Sequence, residues 1–221
     1  MGTLLTFADP APRLRDGLRA RLGVDVGEDA ARAAIRAEIA HYRAHLHLGR
    51  DAGSLAELRA GCAEAMRPAL GPAADAPGDL LTAALLDALA FSAYPDAVPA
   101  LRALRDAGWA RVVVSNWDAS LHERLAETGL AGLVDGAVAS AELGAAKPDG
   151  AIFARGLALA GAQPGDAWHV GDDVEADVEG ALAAGIRPVL LARDGEPPAL
   201  DGVPVIRSLE ALPPLLGTVP L

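Results

Sequence analysis

At 221 residues the chain is long enough to bury a sizeable core and suits one domain, or a domain with an inserted lobe. Hydrophobic residues make up 52%, the formal net charge is −11 and the pI is about 4.8, which argues against nucleic acid or an anionic membrane surface as the main partner. No run approaches the ~18 apolar residues of a membrane span, no signal-peptide pattern follows Met1, and the single Cys62 cannot form an internal disulfide, so a cytoplasmic protein is expected.

The chain opens on Met1-Gly2-Thr3-Leu4-Leu5-Thr6-Phe7, an apolar run that reads as the end of an element rather than its beginning. From Ala11 to about Ala90, Ala, Leu and Arg recur at helical spacing, which predicts helices over 12–22, 28–47, 54–68 and 79–90. Breaks fall at Gly23, between Gly49 and Gly53, and between Gly71 and Gly78. After Tyr94-Pro95-Asp96 the texture changes to alternation. Helices are expected over 97–107, 119–128, 149–160 and 175–184, and strands over 110–115, 136–139, 167–171, 187–192 and 203–206. That order predicts an α/β fold with a parallel sheet covered by helices on both faces. Asp96, Asp118 and Ser208 read as helix starts, while Gly108, Gly129, Gly161 and Gly185 read as helix stops. Pro213-Pro214 and Pro220 suggest a closing tail that need not be ordered.

Three strand ends carry polar residues of distinct kinds. Val112-Val113-Val114 leads into Ser115-Asn116. The segment after Val138 leads through Glu142 to Lys147-Pro148-Asp149, and Val170 leads into Gly171-Asp172-Asp173, with Asp177 four residues on. In open parallel sheets ligands collect outside the carboxyl ends of the strands. Three carboxylates this close repel one another unless a cation lies among them, and hard oxygen ligands suit Mg2+ better than Zn2+. Helix capping accounts for one aspartate, not for the group. Among 19 basic residues, all but Lys147 are arginine. A compact ammonium fits a phosphate-sized pocket that a planar guanidinium does not. Taken singly, Ser115 reads equally as a turn residue and Lys147 as a surface charge. Taken together they describe a phosphate clamp, in which Ser115 and the following amides bond phosphoryl oxygens while Lys147 and a metal offset charge.

On these motifs the chain resembles the haloacid dehalogenase-type (HAD) hydrolases that carry a helical cap after the first strand. Ser115-Asn116 stands at the second motif of that superfamily, Lys147-Pro148 at the third, and Gly171-Asp172-Asp173 with Asp177 at the fourth. Tyr94-Pro95-Asp96 and Gly185-Ile186-Arg187 also fit, so the likeness covers nearly the whole chain. It implies a Rossmann-like α/β core over 1–10 and 93–221, a cap over 11–92, Mg2+ as cofactor and a small phosphorylated metabolite as substrate, in a monomer or homodimer. It assigns phosphate binding to Thr3, Ser115, Asn116 and Lys147, with Lys147 also catalytic. Asp172 and Asp173 become the metal ligands, and Asp177 orients Lys147 or its loop.

One departure accompanies the match. The superfamily's first motif is an apolar run followed by Asp-x-Asp-Gly-Thr-Leu, whose first aspartate attacks phosphorus. Gly2-Thr3-Leu4 matches only its end, so the nucleophile would lie two residues before Met1, and Met1 itself would take the second acidic position. Asp9 and Asp16 follow the strand and lead into the cap. Three readings fit: a polypeptide that begins upstream with a central strand and is inactive as given; a non-catalytic relative that binds Mg2+ and an anion; or a 2-haloacid dehalogenase, against which the aspartate-rich fourth motif stands. His41 and His45 lie one helical turn apart, but without a third ligand they read as a partly exposed helical face rather than a zinc site. His122 and His169 have no support as acid or base groups, although His169 lies close to the acidic cluster, and Trp117 reads as packing.

Overall fold

The computed structural model describes residues 2–217. They divide into two compact units, one over Phe7–Phe91 and one comprising the residues up to Thr6 together with those from Ser92 onward.

The first unit is helical: α1 (Pro10–Leu22), α2 (Glu28–His45), α3 (Ala52–Met66) and α4 (Gly78–Ala88). The Ala and Leu positions that recur at helical spacing close one core, with Leu14, Leu18, Met66 and Leu81 fully enclosed where α1 packs on α4 and α2 on α3. Helix starts are set locally. The Asp9 carboxylate accepts the Ala11 N–H at 3.1 Å ahead of α1, and Asp51 and Ser54 form a reciprocal capping box at α3. α2 and α3 each end two residues before the expected position, in tight turns over 46–48 and 67–69. The second turn contains Pro68, which has no N–H to extend an α-helix. The His41 and His45 rings stack with centroids 4.2 Å apart, and His45 Nδ1 bonds the His41 carbonyl at 2.8 Å.

In the second unit the order is α5 (Ala97–Asp106), β3 (Val112–Ser115), α6 (Leu121–Glu127), β4 (Gly136–Ala139), α7 (Ser140–Leu143), α8 (Gly150–Ala160), β5 (Trp168–Gly171), α9 (Gly180–Ala183), β6 (Arg187–Leu191), β7 (Val205–Ile206) and α10 (Leu212–Leu216). The remaining strands, β1 (Leu5–Phe7) and β2 (Phe91–Ala93), pair with each other. β3 and β4 are parallel, with Ser115 opposite Ala139, and β5, β6 and β7 form a second parallel sheet, with Gly171 opposite Leu190. The fold is thus α/β with parallel sheets.

Where one continuous parallel sheet was expected, β3 to β7 form two, apart from the β1–β2 pair, among the described residues. α8 bridges them: it packs on β3 and β4, and its Phe153 ring meets His169 of β5 edge-on at 5.1 Å. Among the described residues no strand bonds the second edge of β3 or of β5, and β3 is only half-buried along its length. Unpaired ladder groups must otherwise be satisfied by water.

Three short elements escaped the sequence pattern. β2 and α7 span three and four residues, too few for a period to register. α10 begins at Leu212-Pro213-Pro214, where proline suits the first helical turn, whereas Pro220 lies outside the described residues. Among the described residues no helix is long and apolar enough to cross a membrane.

Inside the helical core one carboxylic acid is buried: Glu38 is 4% exposed. Burial pushes its carboxyl up, and the hydrogen bond with Cys62 opposes that shift without cancelling it. A carboxyl whose folded value is raised contributes stability that is fully present below its unfolded range and is lost as pH rises through the folded value. Glu38→Gln should therefore raise the melting temperature at about pH 8 by roughly 2–4 °C, the change that about 1 kcal/mol produces in a chain of this size. The gain should shrink at about pH 4, near the ordinary glutamate range, and paired thermal melts at the two pH values check it.

Candidate functional site

Ser115 ends β3, and the residue after it ties two strand tips together. Asn116 Oδ1 accepts the Lys147 backbone N–H at 2.7 Å, while Asn116 Nδ2 donates to the Lys147 carbonyl at 3.0 Å. This clasp fixes the Lys147 backbone, whose peptide bond to Pro148 is cis. From there Lys147 Nζ donates to Asp177 Oδ1 at 2.5 Å. The same oxygen accepts from His169 Nε2 at 2.9 Å, and Asp177 Oδ2 accepts the Asp173 backbone N–H at 3.0 Å.

Asp177 reaches this position because the backbone around it departs from regular helix. A helix was expected over 175–184, but Val174–Glu179 is a π-turn, in which the Asp177 and Val178 N–H groups both reach the Asp173 carbonyl, at 2.9 and 3.3 Å. Such widened turns recur at functional sites. Gly171 supplies the room, since a Cβ there would lie 2.0 Å from Asp177 Cγ. Asp177 is 4% exposed. Burial alone would raise its carboxyl, but the His169 hydrogen bond and the Lys147 charge outweigh burial and hold it far below the usual carboxylate range. Burial lowers His169, the Asp177 contacts raise it and the Lys147 charge lowers it further, with a net downward shift.

Asp172 is placed differently. It is exposed, and its Oδ1 accepts the Thr3 hydroxyl at 2.7 Å. Gly2, at φ +107°, lies so near that a Cβ would sit 2.2 Å from Asp172 Oδ2. The Asp173 carboxylate caps the π-turn by accepting the Ala176 N–H at 2.8 Å. The sequence-derived candidates Thr3, Asp172, Asp173, Asp177, Lys147, Asn116 and Ser115 therefore fall, in that order, along one path of bonds and adjacent residues. Asn116 enters it through its side chain, which is committed to the Lys147 backbone. Trp117 is buried, donates from Nε1 to Ser120 Oγ at 3.2 Å and from its backbone N–H to Ser140 Oγ at 3.1 Å, so it packs.

Mg2+ keeps several waters and takes one or two carboxylates together with substrate phosphate. Asp172 with Asp173 fits that donor set. Among the described residues no group of three or more acidic, imidazole or thiol side chains is arranged around a metal position, and His41 with His45 forms none either.

Sequence reasoning missed Arg193, just past β6. Its guanidinium donates to the Gly2 carbonyl at 2.9 Å, to the Thr3 carbonyl at 2.7 Å and to both Asp96 oxygens at 2.8 and 3.0 Å, and it lies 3.7 Å from the centre of the Tyr94 ring. Asp96 was expected to start α5 as a cap, but its side chain makes no cap bond. Instead it accepts from Arg193, Ser208 Oγ and the Leu209 N–H, which together overcome burial and lower its carboxyl. The available signal was position, since Arg193 follows a strand at the same carboxyl edge as the other candidates.

Parallel sheets with polar side chains gathered beyond their strands, a buried ammonium–carboxylate pair and exposed aspartates beside it mark an α/β protein of a recognisable kind. The haloacid dehalogenase-like hydrolase family model matches residues 2–185, and the chain belongs to that family. A glyceraldehyde 3-phosphate phosphatase of Methanopyrus kandleri is 34% identical over 116 residues, covering 50% of this chain and 50% of that protein. The chain aligns with about half the length of the relatives it matches in sequence. Among solved structures, a HAD phosphatase from Thermococcus onnurineus superposes with a TM-score of 0.66 at 26% identity, over 98% of this chain and 94% of that one. A dehalogenase with an intermediate complex gives 0.68 at 25%, over 98% and 93%.

Removing Arg193 should expose what its clasp contributes. Arg193→Met leaves Asp96 without its cation and should lower stability at neutral pH by about 3 kcal/mol, as breaking a largely buried pair does, measured by denaturant unfolding. Because the Asp96 carboxyl is lowered, its contribution is present above the ordinary aspartate range and lost as pH falls through the lowered value. The variant should accordingly lose part of the acid dependence of stability.

Proposed function

We propose that this chain carries the substrate-holding machinery of an Mg2+-dependent phosphomonoester hydrolase that acts on a small phosphorylated metabolite. The observation that carries the reading is the continuous path from Thr3 to Ser115, which puts an ammonium, a hydroxyl-bearing strand end and an open carboxylate on one connected set of loops. Family membership and the phosphatase relatives support it. In this reading Ser115 and the Asn116 backbone bond phosphoryl oxygens, and Lys147 offsets the charge that builds on them. Asn116 and Asp177 hold Lys147 in place, and Thr3 orients Asp172. Mg2+, held by Asp172 and Asp173, would supply further positive charge against the phosphoryl group.

Hydrolysis proceeds in two displacements. A carboxylate oxygen attacks phosphorus as the bond to the leaving alcohol breaks; water then attacks the aspartyl-phosphate, releasing phosphate and restoring the carboxylate. We assign the nucleophile to an aspartate ahead of Met1, at the end of a strand lying along the free edges of β3 and β5. The helical unit corresponds to the family's cap in this reading, and the protein acts in the cytoplasm.

The test compares the 221-residue chain with one extended upstream by its own in-frame residues. The extended chain should hydrolyse an aryl phosphate with Mg2+, the unextended chain should not, and Lys147→Ala in the extended chain should lower kcat by roughly 10²–10³. On the family likeness the general-acid position falls to Met1, which lies outside the described residues and whose thioether has no proton to give, so alkyl phosphates should react more slowly than aryl phosphates, by up to about 10². Turnover by the unextended chain would contradict the assignment of the nucleophile. Chloride release from a 2-haloacid would favour the dehalogenase reading that the second structural relative suggests. Binding of phosphate and Mg2+ without turnover would favour a non-catalytic relative.

A further inference from the structure

We propose that His169 is a positioning residue for Lys147, acting through the carboxylate the two share. The proposal rests on the reading above only for what Lys147 does to a substrate; the positioning itself is a matter of geometry. Asp177 Oδ1 accepts from Lys147 Nζ and from His169 Nε2, and Oδ2 accepts the Asp173 N–H, so the carboxylate is held from three directions. An ionised carboxylate only accepts, so the His169 nitrogen that faces it carries the proton, and the imidazole stands as its Nε2–H tautomer. The ring has little freedom to turn away, because its side chain is 13% exposed and its edge packs against Phe153 at 5.1 Å.

Two alternatives to histidine at this position fail on chemistry. An apolar residue would leave Asp177 Oδ1 with the ammonium as its one donor, and an ammonium on a four-carbon stem swings easily. A second permanent cation would compete with Lys147 for the same oxygen and repel it at close range. A neutral ring donor adds direction without charge. Burial keeps the His169 ring toward its uncharged form, in line with that requirement. A partner one step behind the working group, fixing its orientation, is the arrangement by which outer residues tune a site.

The sequence makes the test direct, because Lys147 is its one lysine. In the 221-residue chain labelled with 15N at lysine Nζ, a single side-chain ammonium resonance reports Lys147 with no activity required. His169→Phe, which keeps the ring packing and removes the donor, should raise exchange of that ammonium with water by about tenfold, the scale set by losing one hydrogen bond to a charged group. His169→Gln, which restores an N–H, should recover much of the difference, whereas a purely structural role would lower the melting temperature and leave the ammonium unchanged. An exchange rate within about twofold of the unmutated chain in a folded His169→Phe variant would overturn the proposal. So would an imidazole 15N spectrum of the unmutated chain with the proton on Nδ1, a measurement that needs no variant.

Titration of inorganic phosphate in the presence of Mg2+ separates this idea from the functional reading. If the ammonium loosens but no form binds phosphate, the positioning stands and the phosphatase reading falls. If phosphate binds equally with and without His169 and the ammonium is unmoved, the positioning falls and the phosphatase reading stands.

Discussion

The buried carboxylate of Asp177 is the constraint to which the strand tips are fitted. An ionised acid removed from water requires donors on both oxygens, and here they come from the loop between α7 and α8, from within β5 and from the backbone after β5. Each donor fixes a different piece of chain. Gly171 and the π-turn belong to the same solution: one removes the atom that would occupy the space, and the other swings the side chain into it. Without that acceptor the Lys147 ammonium, 12% exposed, would be left largely desolvated and unpaired, a state that costs several kcal/mol and commonly forces rearrangement.

A second polar hub ties the beginning of the chain to its end. Arg193 bonds the Gly2 and Thr3 carbonyls and Asp96, and Asp96 bonds the Ser208 hydroxyl and the Leu209 amide. Thr3 in turn reaches Asp172. The position of Thr3 therefore depends on a guanidinium far away in sequence, whose planar fork can serve two carbonyls and a carboxylate at once where a lysine could not. β3 and β5, by contrast, are joined through α8 and through side chains at their tips rather than by a ladder. The strand ends are thus tied to one another by side-chain bonds.

The elements that were legible in sequence are those with enough residues to show a period. α1 to α4 and the strands ending at Ser115, Ala139 and Gly171 all follow from apolar spacing and glycine stops, because burial on one face dictates both pattern and fold. The motif residues were legible because aspartates and a lone lysine at strand ends have few bland explanations. What the pattern could not carry was pairing at a distance. Nothing in the sequence around Asn116 indicates that its amide would grip the Lys147 backbone, or that Asp96 would forgo its own helix for Arg193. The π-turn was hidden for a related reason: Val174–Glu179 reads as ordinary helix, and only the demand of a buried acid at Asp177 widens it. The split between the sheets was hidden because periodicity reports that a strand exists, not which neighbours it finds.

Charge is the ground on which the proposed phosphatase reading is set against the dehalogenase one. The chain carries a net −11, and the exposed carboxylates of Asp172 and Asp173 accept a neutral hydroxyl and a backbone N–H rather than a cation. Any anionic substrate that approaches meets that carboxylate together with Asp173, while Lys147 is already neutralised in part by Asp177. A haloacid, with a single carboxylate and a neutral carbon as its reacting centre, brings nothing to offset this negative potential. A phosphomonoester brings more negative charge still, but its oxygens can share a divalent cation with Asp172 and Asp173, which reverses the sign of the field where they bind. In the proposed reading an acid-rich strand end would be an obstacle to the first substrate and, with a cation bound, a docking point for the second. In the proposed reading, the same aspartates that repel an anion on their own would, with Mg2+ between them and the substrate, favour a phosphate.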